Sequence, residues 1–243
     1  MKRKIAKFPS DIVVQEWHKR ALAEYYSAVL MAQLKVFLEQ CAFSSHLISL
    51  CDRIISDELR HTTQCLSCLH KWGFAPPMAN ELIRIPSDVL PLEKPLYTIM
   101  SSFVLGETVA VPLFERMLCN AKDNHVKHVL QGILKDEKMH RSFAWQLLDG
   151  VLACDLDTMH PIHAHIPAKA SHRIRGYIQE DLYSWIVLYR EGYVHDGSDW
   201  ELHPDDTFFG LIDGRTYKKT WLTCFQNVIR PRLIERHFRI PPV

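Results

Sequence analysis

Two short strings of the same kind constrain this chain most strongly. DELRH at residues 57–61 and DEKMH at residues 136–140 each contain Glu-x-x-His preceded by Asp, within a long stretch whose pattern predicts a helix. Residues i and i+3 lie on the same face of an α-helix, so each string directs one carboxylate and one imidazole to the same side. A single Glu-x-x-His is common and is usually a solvated pair near the surface. Its repetition in one chain is much harder to obtain by accident.

Two glutamates upstream complete a repeated order. Glu24 and Glu107 lie in apolar or small-residue surroundings, 34 residues before Glu58 and 30 residues before Glu137. At a rise of about 1.5 Å per residue, such an interval allows a helix and a short turn to bring the second ligand level with the first. The repeated order indicates a dinuclear metal site in a four-helix bundle. Four buried carboxylates would repel one another without cations, so we expect this core to bind metal.

With this pattern, residues 10–150 resemble the ferritin-like diiron carboxylate superfamily. The resemblance implies six ligands, with Glu58 and Glu137 bridging the two metals: Glu24, Glu58, His61, Glu107, Glu137 and His140. In that superfamily an Asp accepts a hydrogen bond from the outer ring nitrogen of each ligand His, and by symmetry we expect Asp57 to serve His140 and Asp136 to serve His61. Arg60 either buffers the carboxylates or lies on the helix surface. Carboxylates and imidazoles suit two Fe ions, with Mn/Fe or Mn/Mn as alternatives.

The rest of the pattern predicts an all-α fold. We expect helices over about 11–40, 45–72, 95–121 and 123–149, and further helices over 171–191 and 217–236 with a bend at Pro231. The proline-rich connection 74–93 can join two parallel helices. It therefore favours a ferritin-like four-helix bundle, with a long crossover between helices 2 and 3, over an up-and-down bundle. We expect residues 10–150 to form the diiron bundle and residues 171–243 to form a C-terminal helical extension packed on it.

Residues 151–170 are predicted to be a linker. The histidines at 160, 163 and 165 could in principle form a second metal site, but they lack an obvious fixed geometry. We favour a solvated, flexible loop.

Helical spacing predicts the surroundings of the ligands. Phe103, Val111 and Phe114 should flank Glu107, and Cys65 lies one turn after His61. Such an apolar lining suits oxygen activation because it protects reactive species from water, although ordinary bundle core would show the same residues. Cys65 also begins a C-x-x-C that lacks a second such motif, which favours a packing role.

Composition excludes several classes of partner. The net charge is +1, which gives no support for binding to nucleic acid or to a charged membrane surface. The basic N-terminus is not followed by an apolar signal core, and no uninterrupted apolar run of 18 residues occurs elsewhere. Seven cysteines at irregular spacing favour reduced thiols and a cytoplasmic location.

Several diiron chemistries remain open. The aromatic-rich C-terminal region exceeds what a storage ferritin needs, and it resembles the long additions of amine N-oxygenases, which usually carry a third His where this chain has Ile133. The leading hypothesis is an O2-activating oxygenase or oxidase that acts on an organic small molecule and requires an electron donor. The alternatives are a ferroxidase or iron-binding protein without an organic substrate, and a structural protein with a vestigial site. Residues 171–243 should either close the pocket or form a subunit interface, as in a homodimer.

Overall fold

Regular structure in this chain is helical wherever it can be described. The computed structural model describes residues 8–74, 85, 90, 92–166, 173–195 and 202–240, with the backbone alone for 188–195. No strand occurs in these ranges, so the all-α prediction is confirmed for them. The helices are α1 Asp11–Gln40, α2 Ser45–Lys71, α3 Pro95–Asn120, α4 Asn124–Ala153, α5 Ile174–His195 and α6, which consists of Gly214–Cys224, Phe225–Ile229 and Arg230–Glu235.

Local chemistry sets three of the helix ends close to the positions that the sequence predicts. The Ser10 hydroxyl accepts from the Val13 N–H at 3.4 Å, and the Asp123 carboxylate accepts from the Val126 N–H at 3.0 Å, so each side chain caps a helix that begins with the next residue. Gly73 ends α2 with φ +85°, a left-handed conformation that glycine adopts without steric cost.

The connections and contacts define the helix directions. A short turn joins α1 to α2 and another joins α3 to α4, so each pair is antiparallel. Asp57 on α2 contacts His140 on α4, whereas Ser67, further along α2, contacts His125, earlier in α4. These two helices are therefore antiparallel, and α3 must run parallel to α2. A long crossover is consequently required between them, although most of the predicted connection 74–93 lies outside the described residues.

Helix α3 departs from α-helical geometry next to a predicted ligand. The segment Ile99–Glu107 is a nine-residue π-helix, which widens the turn immediately before and at Glu107. The prediction that Phe103 flanks Glu107 used α-helical spacing, which differs from that of a π-helix, and the position of Phe103 relative to Glu107 stays a prediction.

By length and composition, α3 could also span a membrane, contrary to the expectation drawn from uninterrupted apolar runs. Its 26 residues include an 18-residue window of mean hydropathy 1.4, of which 67% is buried inside the protein. The core helix of a soluble protein passes the same test, and the burial of this window fits that explanation.

Helix α4 and the segment after it differ from the prediction. The helix continues through Gly150 to Ala153 and does not end near Asp149. A Cβ at Gly150 would lie 3.3 Å from a Leu47 methyl, so glycine there permits close packing of α2 on α4. The described part of the predicted flexible linker is ordered as two 3₁₀ turns, in which Ile162 is buried and the ring of His160 packs edge-on against Phe43.

The C-terminal region packs on the bundle through buried groups. The Trp17 indole N–H on α1 donates to the backbone carbonyl of Phe209 at 3.0 Å, and both side chains are buried. From α6, the Cys224 thiol contacts the Thr108 carbonyl on α3. Residues 202–213, which precede α6, also bury Leu211 and Ile212.

Candidate metal centre

Each helix of the bundle places one or two predicted ligands in its interior. Glu24 comes from α1, Glu58 and His61 from α2, Glu107 from α3, and Glu137 and His140 from α4. All six side chains are buried, and the two imidazoles are completely inaccessible. The stripe of α1 that carries Glu24 is otherwise apolar, so this carboxylate lies in the core by helical periodicity.

The six side chains form two groups that share two members. Ligand atoms from one group all lie within 4.8 Å of one another, and the same holds for the other group. The first contains Glu24, Glu58, His61 and Glu137, and the second contains Glu58, Glu107, Glu137 and His140. Two adjacent sites that share two carboxylates have the arrangement of a dinuclear centre, in which the shared glutamates can bridge the ions.

Each imidazole directs one ring nitrogen inward and the other outward. His61 Nδ1 lies 3.4 Å from Glu24 Oε2, while its Nε2 lies 3.3 Å from Asp136 Oδ2. His140 Nδ1 lies 3.2 Å from Glu58 Oε1, while its Nε2 lies 3.4 Å from Asp57 Oδ2. The two Asp side chains therefore lie where the symmetry of the strings predicts. An Nε2–H donated to Asp leaves the Nδ1 lone pair available to a metal ion.

Arg60 links the two outer carboxylates. Its Nη2 lies 2.7 Å from Asp57 Oδ1 and 2.6 Å from Asp136 Oδ2. Burial alone would raise the pKa of Asp57, but its contacts with His140 and Arg60 hold that pKa below the usual range. The guanidinium therefore maintains a charged acceptor opposite His140. This contact supports the buffering role for Arg60 over a simple surface position.

Four of the inward polar atoms have no hydrogen-bond partner among the described residues. His61 Nδ1, His140 Nδ1, Glu58 Oε2 and Glu137 Oε2 are all buried without one. Buried polar atoms are nearly always satisfied, because an unsatisfied one costs about 1–3 kcal/mol. Four such atoms around one point fit a group of donors arranged for cations, so the residues present suit a pair of metal ions.

Without metal, the site balances its charge with protons on the imidazoles. Burial by itself would lower the pKa of His61, but the carboxylates of Glu24 and Glu58 raise it to about 11. Likewise, Asp57 and Glu58 outweigh burial and raise the pKa of His140 to about 10. In turn, the two imidazolium groups hold the pKa of Glu58 far below its usual range, against the effect of burial.

The other carboxyls respond mainly to burial. Burial and the charge of Glu58 raise the pKa of Glu107 to about 7. Burial and the neighbouring Glu107 raise the pKa of Glu137 well above its ordinary value, and burial also raises that of Glu24. The metal-free site therefore holds protons that metal ions must displace.

The predicted lining residues are buried, but their role as a substrate pocket stays a prediction. Phe103, Val111 and Phe114 are between 1% and 6% exposed. Cys65 is completely buried, and the charges of Glu24 and Glu58 add to the effect of burial in raising the pKa of its thiol.

Sequence reasoning missed two polar residues near this centre. The Ser27 hydroxyl donates to Glu58 Oε1 at 3.1 Å, and its position three residues after Glu24 on α1 could have indicated this. Arg20 lies one turn before Glu24, and nothing in its local sequence marks it as more than a surface cation. Its surroundings depend on how α1 and α3 approach each other.

Comparison of the chain with models of known protein families, with curated proteins and with solved structures finds no match. Assignment of a function therefore rests on the geometry of the site.

Proposed function

We propose that this protein is a ferritin-like diiron metalloprotein that uses O2 to oxidise an organic small molecule. The observation that carries the proposal is the pair of ligand groups drawn from four helices, which share Glu58 and Glu137 and contain four buried ligand atoms without a hydrogen-bond partner among the described residues. Carboxylate and imidazole donors in this ratio suit iron and manganese better than zinc, for which thiolate and imidazole donors are more common.

The assignment of ligands follows from the two groups. Glu24 and His61 Nδ1 would hold one ion, Glu107 and His140 Nδ1 would hold the other, and Glu58 and Glu137 would belong to both ligand sets. When bound, a ferrous pair supplies electrons to O2, and an external reductant completes the hydroxylation R–H + O2 + 2 e⁻ + 2 H⁺ → R–OH + H2O.

The protein's own residues orient the ligands and exclude water. Asp57 and Asp136 fix the rings of His140 and His61, and Arg60 holds both carboxylates in place. The burial of every predicted ligand excludes bulk solvent, which strengthens each electrostatic interaction within the site.

A ferroxidase is the second candidate, since its ligand set would be the same. Continuous iron uptake requires an access path lined by carboxylates. Here, Arg60 neutralises the two carboxylates on the outer side of the imidazoles. A cation at this position opposes Fe(II) entry there and favours the oxygenase hypothesis.

Iron loading under anaerobic conditions, followed by exposure to O2, separates these functions. An oxygenase should bind two Fe(II) per chain, consume O2 in a single turnover, and require an added reductant and substrate to continue. A ferroxidase should keep consuming O2 as more Fe(II) is added, and should accumulate ferric mineral without any organic substrate. If the chain binds no Fe(II), both functions are contradicted. The remaining hypothesis would then be a structural protein with a vestigial site.

A further inference from the structure

Arg20 occupies an unusual position beside the metal centre. It precedes Glu24 by four residues on α1, which places it one turn, or roughly 6 Å, along the helix from that ligand. Its guanidinium carbon lies 5.8 Å from the centre of the Trp17 ring and 5.1 Å from the centre of the Phe114 ring. The guanidinium therefore spans from α1 to α3, the two helices that contribute Glu24 and Glu107.

The charge of Arg20 has no carboxylate partner in the described part of the chain. No acidic oxygen there lies within 4.0 Å of its nitrogens, and its Nε is buried without a hydrogen-bond partner. By contrast, Arg60 contacts two Asp side chains, and Arg236 forms two hydrogen bonds with Asp149. A guanidinium offers five N–H donors, so contact with two aromatic rings leaves its capacity for planar anions unused.

Arg20 also lies on the same side of the bundle as the predicted pocket. Phe114, whose ring it contacts, is seven residues beyond Glu107 on α3. The buried thiol of Cys65 is affected by both groups, since the charge of Glu24 raises its pKa and the positive charge of Arg20 lowers it. A molecule held by the guanidinium would therefore lie next to the ligands.

We infer that Arg20 binds the carboxylate of an organic acid, with Trp17 and Phe114 packing against the apolar body of that molecule. This inference rests on the proposed function and specifies its substrate class. Arginine binds carboxylates through two parallel hydrogen bonds, which fix direction as well as position. Arg20 lies one helical turn from Glu24, so an acid held by the guanidinium would extend toward that ligand.

Binding measurements on the full chain loaded with Mn(II) test this inference without turnover. The probes for calorimetric titration are benzoate and octanoate as carboxylates, benzyl alcohol as a neutral analogue of benzoate, and inorganic phosphate. The variants are Arg20→Gln, Arg20→Lys and the control Arg116→Gln, which removes a cation from an exposed position of α3. Melting curves and Mn(II) stoichiometry are measured first for every variant.

We expect at least one carboxylate to bind the wild type and the Arg116→Gln variant equally. Arg20→Gln should weaken that binding about 10–100-fold, as expected for loss of a charged hydrogen-bond donor. Arg20→Lys keeps the cation and much of the packing, so its affinity should be intermediate. Benzyl alcohol should bind more weakly and should not distinguish the variants.

Three results would overturn the inference. The first is that neither carboxylate binds the wild type at millimolar concentration. The second is that Arg20→Gln binds carboxylates as tightly as the wild type, because they bind the metals directly. The third is that phosphate binds at Arg20 more tightly than either organic acid. Failure of the metal site gives a different result, because the wild type would then bind no Mn(II). A ferroxidase would still bind Mn(II) and would be identified by the O2 experiment above. Carboxylate binding to the metal-free chain would still report on Arg20.

Discussion

Substituting Asp136 by Asn tests whether the outer carboxylates control metal binding. Asp136 Oδ2 lies 3.3 Å from His61 Nε2 and 2.6 Å from Arg60 Nη2. Asparagine preserves the size of the side chain but removes the charge that orients His61 and increases the basicity of its ring. Loss of such a partner typically reduces metal affinity about 10–100-fold, or about 1.4–2.7 kcal/mol.

The metal-free fold should change much less. The side chain of Arg60 is 46% exposed, and a partly solvated ion pair of this kind contributes roughly 0–1 kcal/mol. We therefore expect Asp136→Asn to weaken Mn(II) binding in a calorimetric titration while the metal-free protein melts close to the wild type. Asp57→Asn should produce the corresponding loss at the site that contains His140.

Asp52→Asn is a matched control for these substitutions. Asp52 also lies on α2 and pairs with Lys35 at 2.7 Å, but its side chain is 58% exposed. This variant should bind Mn(II) like the wild type. If Asp136→Asn loses no more affinity than the control, or destabilises the metal-free fold as much as it weakens metal binding, the assigned role of Asp136 is wrong.

Three further predictions concern stability. Fe(II) or Mn(II) should raise the melting temperature relative to chelator-treated protein, because ions that bind only the native state stabilise it by about 2.7 kcal/mol at 100 times Kd; identical melting curves would exclude a high-affinity site. This rise in melting temperature should become larger as the pH increases from about 6 to about 9, because metal must displace the protons of Glu107, His61 and His140. A rise that does not change with pH would contradict the assigned protonation. The metal-free protein contributes to the same pH dependence. Its stabilisation by the two imidazolium groups is fully present below pH 6.5 and is lost as pH rises through about 10 and 11. Trp221→Ala should reduce the free energy of unfolding by about 3–5 kcal/mol in urea titrations, since this 1% exposed ring stacks on Phe225 at 5.3 Å; a loss below about 1 kcal/mol would contradict tight packing of α6.

The convergence of the predicted ligands could be anticipated because it depends on local periodicity. Glu58 and His61 face the same side in any α-helix, and a short turn at residues 41–44 brings Glu24 level with them. The helix starts next to Ser10 and Asp123 are equally local, and they lie within one residue of the predicted positions. For the described residues, these features account for the all-helical prediction.

Features that depend on contacts between distant elements could not be anticipated. The π-helix that ends at Glu107 differs from an α-helix in which backbone groups form hydrogen bonds, and the apolar sequence of this segment is compatible with either. The extension of α4 past Gly150 depends on its approach to Leu47, and the order of the histidine-containing segment depends on rings such as Phe43. The position of Arg20 requires knowledge of where Phe114 lies.

Metal counting tests the central claim most directly. The full chain is freed of metal, loaded anaerobically with excess Fe(II), passed through a desalting column and analysed for iron and protein, alongside a His61→Ala/His140→Ala double variant whose fold is checked by circular dichroism. We expect two iron ions per wild-type chain and a large loss of iron in the folded double variant. A wild-type chain that retains no iron or manganese, or a double variant that retains as much metal as the wild type, would contradict a dinuclear centre at these residues.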